Sequence, residues 1–285
     1  MAASESLTGS EYIAHHLQNF ASAHQHGLFD LSVIHYDTLL FSLLTAAAML
    51  LLLRLVAGRA TAGVPGRLQA FVEWVVELVD EQAKAIVSVD RTYAAPLALT
   101  VFCWVTLMNA IDLLPVDLLP RVAHEIGPSH LRPLPTADLN VPLGMSVAVL
   151  VLSLYYGIKV KGLFGFVREL FSAPFGQVHL TLNPLTWLAM LLLAVANFGL
   201  NIIEYVSKTF SMGMRLFGNM YAGELLFLLL ALLGGSLTIF GALAHLVLGW
   251  AWSVFHILII LLQAFIFMML TLVYIGQAQE SHSGH

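Results

Sequence analysis

Long apolar runs separated by short polar punctuation dominate the chain. Residues 39–57 form the first run, nearly uniform at its centre, with Arg54 placed to snorkel to the surface. A second run, 95–114, ends among Asn109, Asp112, Pro115, Asp117 and Pro120, and a third, 143–158, is closed by Lys159 and Lys161. Two much longer runs, 185–233 and 237–278, are split by Gly234-Gly235-Ser236. As one helix, the first of these would be roughly 70 Å long, against a hydrocarbon core about 30 Å thick. Each long run therefore either divides into two spans or forms one steeply tilted helix. No break rich in Lys or Arg divides them, which favours tilt.

Residues 68–90 have a different period. Glu73, Glu77, Asp80, Glu81, Lys84 and Ser88 recur at steps of three or four, while Phe71, Val72, Val75, Leu78, Val79, Ala83, Ile86 and Val87 fill the other face. That is an amphipathic helix lying at a membrane interface rather than spanning it. The predicted fold is an all-α integral membrane protein. It has about five membrane-embedded helices and one interfacial helix, and the last two helices form a long, tilted hairpin. Its regions are a tail at 1–36, peripheral helices at 37–184 with the interfacial helix at 68–90 and a loop at 115–142, the hairpin at 185–278, and a tail at 279–285.

Composition agrees with that picture. Of 285 residues 59% are hydrophobic and 10% charged, whereas soluble domains average about 25% charged. A net charge of −5 excludes the basic footprint of a nucleic-acid binder. The single Cys103 excludes an internal disulfide and a multi-cysteine metal site. Residues 1–36 carry His15, His16, His24, His26 and His35 but neither Lys nor Arg. Their spacing fits no closed metal site, so they read as a solvated tail, and no metal or cofactor is expected. The same residues lack a basic segment followed by an apolar core, so insertion is expected to rely on the internal spans.

Orientation follows from the basic residues. Arg54, Arg59, Arg67, Lys84 and Arg91 mark 54–91 as cytoplasmic, and Lys159, Lys161 and Arg168 mark 159–184 likewise. The 115–142 loop, with only Arg121 and Arg132, and the N-terminal tail fall outside. Five crossings then place the C-terminus in the cytoplasm.

The chemistry concentrates in Ser211-Met-Gly-Met-Arg-Leu-Phe-Gly-Asn-Met-Tyr-Ala-Gly-Glu224. An ionisable residue at membrane depth costs about 2.5–3.5 kcal/mol on insertion scales and marks function by default. At 100° per residue Arg215 and Asn219 share a face, Glu204 lies about 20° from it and roughly 16 Å along the axis, and Glu224 lies about 180° round. Arg215 then either has a functional role or forms a buried ion pair with a displaced Glu204 or Glu224. In the last run His256 and Gln263, seven apart, share a face. Each also reads as a satisfied intramembrane polar group, because amides join membrane helices. Simple pairing about Gly234-Gly235 leaves Glu224 and His256 offset. Asn197 and Asn201 are neighbours of either kind, and Asp112 and Asp117 sit at a span's outer mouth. Gly213, Gly218 and Gly223 suit close approach by another helix, a neighbouring subunit included.

The run Met214-Arg-Leu-Phe-Gly-Asn-Met-Tyr-Ala-Gly-Glu224 resembles the signature of subunit a of the bacterial F-type ATP synthase membrane sector, as does Phe255-His-Ile-Leu-Ile-Ile-Leu-Leu-Gln-Ala-Phe-Ile-Phe267. Tyr12-Ile-Ala-His-His16, Ala95-Pro-Leu-Ala-Leu-Thr100, Met108-Asn-Ala-Ile-Asp-Leu-Leu-Pro115 and Pro135-Thr-Ala-Asp-Leu-Asn140 extend the resemblance over nearly the whole chain. It implies a stator in the bacterial inner membrane that works with the c-subunit ring, the b-subunit stalk helices and the rest of the ATP synthase complex. It implies no catalysis by this chain alone. By the resemblance, Arg215 matches an essential arginine between two offset proton half-channels. Glu224 and His256 match groups of the periplasmic half-channel, with Asn219 and Gln263 near the path. Glu204 matches a carboxylate near the cytoplasmic exit. Asp112, Asp138 and Asn140 fall near the outer entrance. A self-contained transporter, with Arg215 binding an anionic solute, is the competing class. Inverted repeats would favour it, and none is evident. A passive membrane scaffold is disfavoured by Arg215 and Glu224 together.

Overall fold

A computed structural model describes residues 9–23, 32–87, 91–115, 118, 132–172, 175, 184–235 and 238–280. Among them the fold is helical, with one isolated antiparallel bridge between Ala21 and His35. The helices are α1 (Gly9–His16), α2 (Tyr36–Gly58), α3 (Arg67–Ile86), α4 (Ala94–Ala110), α5 (Asn140–Ser172), α6 (Pro184–Gly234) and α7 (Ile239–Gln279). Short 3-10 turns occupy Ile111–Leu113 and Pro135–Ala137. Among the described residues five helices are long and apolar enough to cross a membrane: α2, α4 with its 3-10 extension, α5, α6 and α7.

Each long run is one unbroken helix, so the two-span alternative falls. The 51 residues of α6 correspond to about 76 Å of helix. The amphipathic segment is α3, which buries Val79 and Ala83 and leaves Glu73 and Glu77 exposed. Val87, just past its end, completes the buried stripe.

Helix α2 shows how a membrane helix chooses its inner face. Asp37, Thr38, Ser42, Thr45, Met49 and Val56 are buried, while Leu40, Leu43, Leu44, Leu50 and Leu51 are exposed. Lipid is as apolar as leucine, so burying leucine gains little, and polar or small residues supply the contact instead. Trp104 of α4 donates its indole N–H to the Ser42 carbonyl (3.0 Å) and to Thr45 Oγ1 (3.2 Å).

Two clusters form the core. Val101, Val105 and Met108 of α4 meet Met212, Leu216 and Met220 of α6, with Ala264 and Phe267 of α7. Val79 and Ala83 of α3 meet Ala94 and Ala98 of α4, Tyr156 of α5, and Met268, Leu272 and Ile275 of α7. Helix α7 thus runs through both, and α6 joins the first with one face only.

The third span continues beyond the expected end. Helical structure persists to Ser172, with a break at Gly162 (φ 71°, ψ 159°) that a side chain would oppose. Asn197 and Asn201 prove structural: their amides donate to the Phe171 and Leu170 carbonyls at 3.1 and 3.0 Å, satisfying the end of α5. His24, His26, His124, His130 and Asp117 lie outside the described residues.

The three glycines do not share a face, because five residues turn a helix by about 140°. A Cβ at Gly213 would lie 2.8 Å from Leu143 Cδ2 and 3.1 Å from the Pro142 carbonyl, and one at Gly223 would strike His256. Only Gly218 of the three is open. Gly213→Val is therefore expected to lower the stability of the detergent-solubilised chain by about 1–3 kcal/mol, while Gly218→Val leaves it unchanged. Thermal unfolding followed by circular dichroism checks the difference.

Candidate functional site

The packed face of α6 carries Met212, Leu216 and Met220 at helical spacing and ends in Glu224, all buried. Arg215, about 180° round from Glu224, is exposed, as are Asn219 and, further along, Glu204. The angular expectation therefore holds: Arg215 and Glu224 look in opposite directions.

Arg215 forms no ion pair with a described residue: Glu204 lies far along the axis, Glu224 faces the other way, and each is paired elsewhere. Glu204 pairs with Lys208 one turn on, at 2.6 Å. Glu224 pairs with Arg132, whose Nε lies 3.0 Å from Oε1 and 3.2 Å from Oε2, with Nη2 on Oε2 as well. Both side chains are nearly enclosed, 7% and 10% exposed. Burial opposes the Arg132 cation, but the hydrogen bonds and charge of Glu224 outweigh it and hold the guanidinium above its ordinary range. The cation also stands 5.6 Å over the Tyr221 ring.

His256 is fully buried, and its Nε2 lies 2.7 Å from Asp112 Oδ2. The rings of Phe227 and Trp252 enclose it at centroid distances of 5.1 and 5.8 Å. Gly223 makes the approach possible: a Cβ there would overlap His256 Cε1 and sit 3.3 Å from Asp112 Oδ2. Glu224 and His256 are thus neighbours across Gly223, which corrects the expected offset.

The register behind this is visible at a second point. A Cβ at Gly234 would lie 2.8 Å from the His245 ring, whose Nδ1 lies 2.6 Å from the Leu230 carbonyl. Gly234 with His245 and Gly223 with His256 are pairs eleven residues further along each helix. The effective turn therefore lies beyond Gly235, near the start of α7 at Ile239. Extending this register brings Gln263, 6% exposed, level with Leu216 and so next to Arg215 along the hairpin.

Buried polar atoms that lack a hydrogen-bond partner among the described residues include both amide atoms of Asn109, Thr136 Oγ1, both ring nitrogens of His256 and Asp112 Oδ2, the last close to His256 Nε2 as an ion pair but without hydrogen-bond geometry. On the Glu204 side a cavity of about 450 Å³ is lined by Glu204, Lys208, Lys161, Glu169, Tyr205 and Tyr274. Lys161 and Glu169 pair across it at 2.6 Å.

Arg132, the partner of Glu224, is not among the site candidates that the sequence offers, where it counts only as a loop cation. Its signal is its position three residues before Pro135-Thr-Ala-Asp-Leu-Asn140. Asp112 was noted, but not as the partner of His256, since a contact between helices about 150 residues apart has no local signature.

Fold and site together define an all-helical, multi-pass membrane protein with ionisable groups paired in its interior. The family model described as ATP synthase A chain matches residues 39–276. Proteins named ATP synthase subunit a are similar over nearly the full length. The one from Paracidovorax citrulli is 51% identical over 96% of this chain and 97% of its own. That from Verminephrobacter eiseniae is 50% identical over 99% of both, and that from Aliivibrio salmonicida is 45% identical over 98% of both. The chain belongs to the ATP synthase A chain family: it is a multi-pass bacterial membrane protein of the proton-translocating sector, a component of the complex and not by itself a catalytic enzyme.

The glycine contact generates a direct test. Gly223→Ala is expected to displace the His256 ring, cost about 1–3 kcal/mol and lower proton-driven ATP synthesis, whereas Gly249→Ala, at an open position, changes neither. Thermal midpoint and synthesis rate in reconstituted vesicles measure the two effects.

Proposed function

We propose that this chain is the proton-conducting stator of a rotary ATP synthase, with two offset half-channels separated by Arg215. The observation that carries this reading is the division of α6. Arg215 stands on an open face without a counter-charge among the described residues, while Glu224 lies buried half a turn away beside His256 and Asp112.

An open arginine at membrane depth is a costly arrangement that a carboxylate from a partner would relieve. The c-subunit ring supplies that partner, and the exposed side of α6 with Arg215, Gly218 and Asn219 is the face presented to it. Helices of roughly 76 and 61 Å fit a layer about 30 Å thick only when strongly inclined, so α6 and α7 lie tilted along the ring. The b-subunit stalk helices and the rest of the complex are the chain's further partners. The N-terminus is periplasmic, as the distribution of Lys and Arg directs, and five crossings then make the C-terminus cytoplasmic in the bacterial inner membrane.

The periplasmic half-channel runs past Asn109, Asp112, His256 and Glu224. Buried polar atoms without protein partners are costly unless water satisfies them, which supports a hydrated route there. Glu224 and His256 relay the proton, a role suited to histidine because it titrates near neutral pH. Asn219 and Gln263 orient groups near the ring carboxylate. The cytoplasmic half-channel opens through the cavity beside Glu204 and Lys208. Arg215 keeps its charge, favours loss of the ring proton on its approach and blocks direct passage between the routes. Protons then ride the ring, each gaining about 2.3 kcal/mol per 100 mV.

Arg215→Ala is expected to abolish ATP-driven proton pumping in inverted vesicles while the complex still assembles on a native gel; full pumping would overturn the mechanism. Glu224→Gln is expected to slow proton-driven synthesis at least tenfold more than Glu224→Asp, because only a carboxylate exchanges the proton (a tenfold rate change is about 1.4 kcal/mol of barrier). Equal rates for the two variants would exclude Glu224 as a relay.

A further inference from the structure

Asp37 is 1% exposed and lies in the first turn of α2. Its Oδ1 accepts from the Thr38 N–H at 2.8 Å, an ordinary bond for a carboxylate at a helix N-terminus. Its Oδ2 does something else. It accepts from the Phe20 N–H at 2.8 Å and from the Arg132 N–H at 3.1 Å. One buried carboxylate thereby joins the N-terminal segment, the start of α2 and the residue whose guanidinium holds Glu224.

A second buried carboxylate completes the clasp. Asp138 Oδ2 lies 2.6 Å from His35 Nδ1 and accepts from Thr38 Oγ1 at 2.8 Å, and Oδ1 accepts from the Asn140 backbone and side chain at 3.1 Å each. The N-terminal segment closes over both. Ser22 donates to the Ile34 carbonyl and Tyr36 to the Phe20 carbonyl, each at 2.9 Å. Arg132 is thus held at its backbone by Asp37 and engaged at its side chain by Glu224, with the Asp138 charge nearby.

We propose that Asp37 is a positioning residue for proton uptake: it fixes the Arg132 backbone so that the guanidinium meets Glu224 with two nitrogens. This rests on the reading of Glu224 as the periplasmic relay. Arg132 is itself a positioning residue, since its charge is permanent and cannot carry the proton. The chemistry requires a carboxylate at position 37. Three N–H donors converge on it, and a carboxamide in either orientation would turn an NH2 group toward at least one of them. The charged groups facing Glu224 are Arg132 from the loop, Asp112 from the turn after α4 and His16 from α1, with His256 from α7 adjacent. Among these, Arg132 is the one that Asp37 touches.

The test uses the complete ATP synthase reconstituted in proteoliposomes, with synthesis driven by an imposed proton gradient. The pH on the uptake side is varied, and rates are expressed per assembled complex. Asp37→Asn, Arg132→Lys and the double variant are compared with the parent. Arg132→Lys keeps the charge and loses the fork. Asp37→Asn is expected to lower the rate about threefold, since it disturbs geometry and leaves the relay in place, and to move the pH profile in the same direction as Arg132→Lys. The double variant is expected to match Arg132→Lys alone, because residues acting through one contact are not additive. A profile superimposable on the parent's, or losses that multiply in the double variant, overturns the proposal. If Asp37→Asn does not assemble, Asp37→Glu is read instead and must move the profile in that same direction, superposition again overturning the proposal. Glu224→Gln serves as reference. Unimpaired synthesis in that variant overturns the relay reading itself, whereas a dead Glu224→Gln beside a parent-like Asp37→Asn overturns only the role of Asp37.

Discussion

A carboxylate buried among membrane helices has to be met by a cation or by donors, and the pairing of Glu224 with Arg132 is the constraint from which much of this structure follows. Arg132 belongs to no transmembrane helix, so loop backbone must be carried into the bundle and its polar groups satisfied there. Asp37 and Asp138 do this with buried oxygens that accept from Phe20, Thr38, Arg132, His35 and Asn140. The N-terminal segment and the start of α2 are thereby structural parts of the Glu224 site, although they lie more than 180 residues from it in sequence.

The same economy of charge divides α6. Its packed face pairs its carboxylate within the chain. Its open face leaves Arg215 without a counter-charge among the described residues, and the nearest candidate along that face, Glu204, is held by Lys208. An arginine with no internal partner is available to a carboxylate from outside, which is the property a stator facing a rotor requires. Small residues set how closely the helices approach. Gly223 and Gly234 admit His256 and His245 against the α6 backbone, and this pair of contacts determines the register of the hairpin.

Much was legible from the chain alone. Five apolar runs became five helices suited to spanning, and the period-3.6 stripe at 68–90 became α3 with Val79 and Ala83 inward. The break at Gly234-Gly235 separates α6 from α7, and the opposition of Arg215 and Glu224 followed from counting 100° per residue. His256 and Gln263 share a buried face, as their spacing of seven required. Membrane helices are so readable because the bilayer forces every backbone polar group into local hydrogen bonds.

Local periodicity determined which residues share a face, where the apolar spans lie and that costly charges lie at membrane depth, but not the end of α5, which continues to Ser172. Only the tertiary structure decided who answers each charge. Arg132 meets Glu224 across 92 positions, His256 meets Asp112, and Gly213 and Gly223 receive neighbours from this same chain rather than from a partner. The physical reason is that an ion pair between distant segments leaves no period in the sequence. Its partners are chosen by helix register and loop path, and those depend on which small side chains allow two backbones to meet.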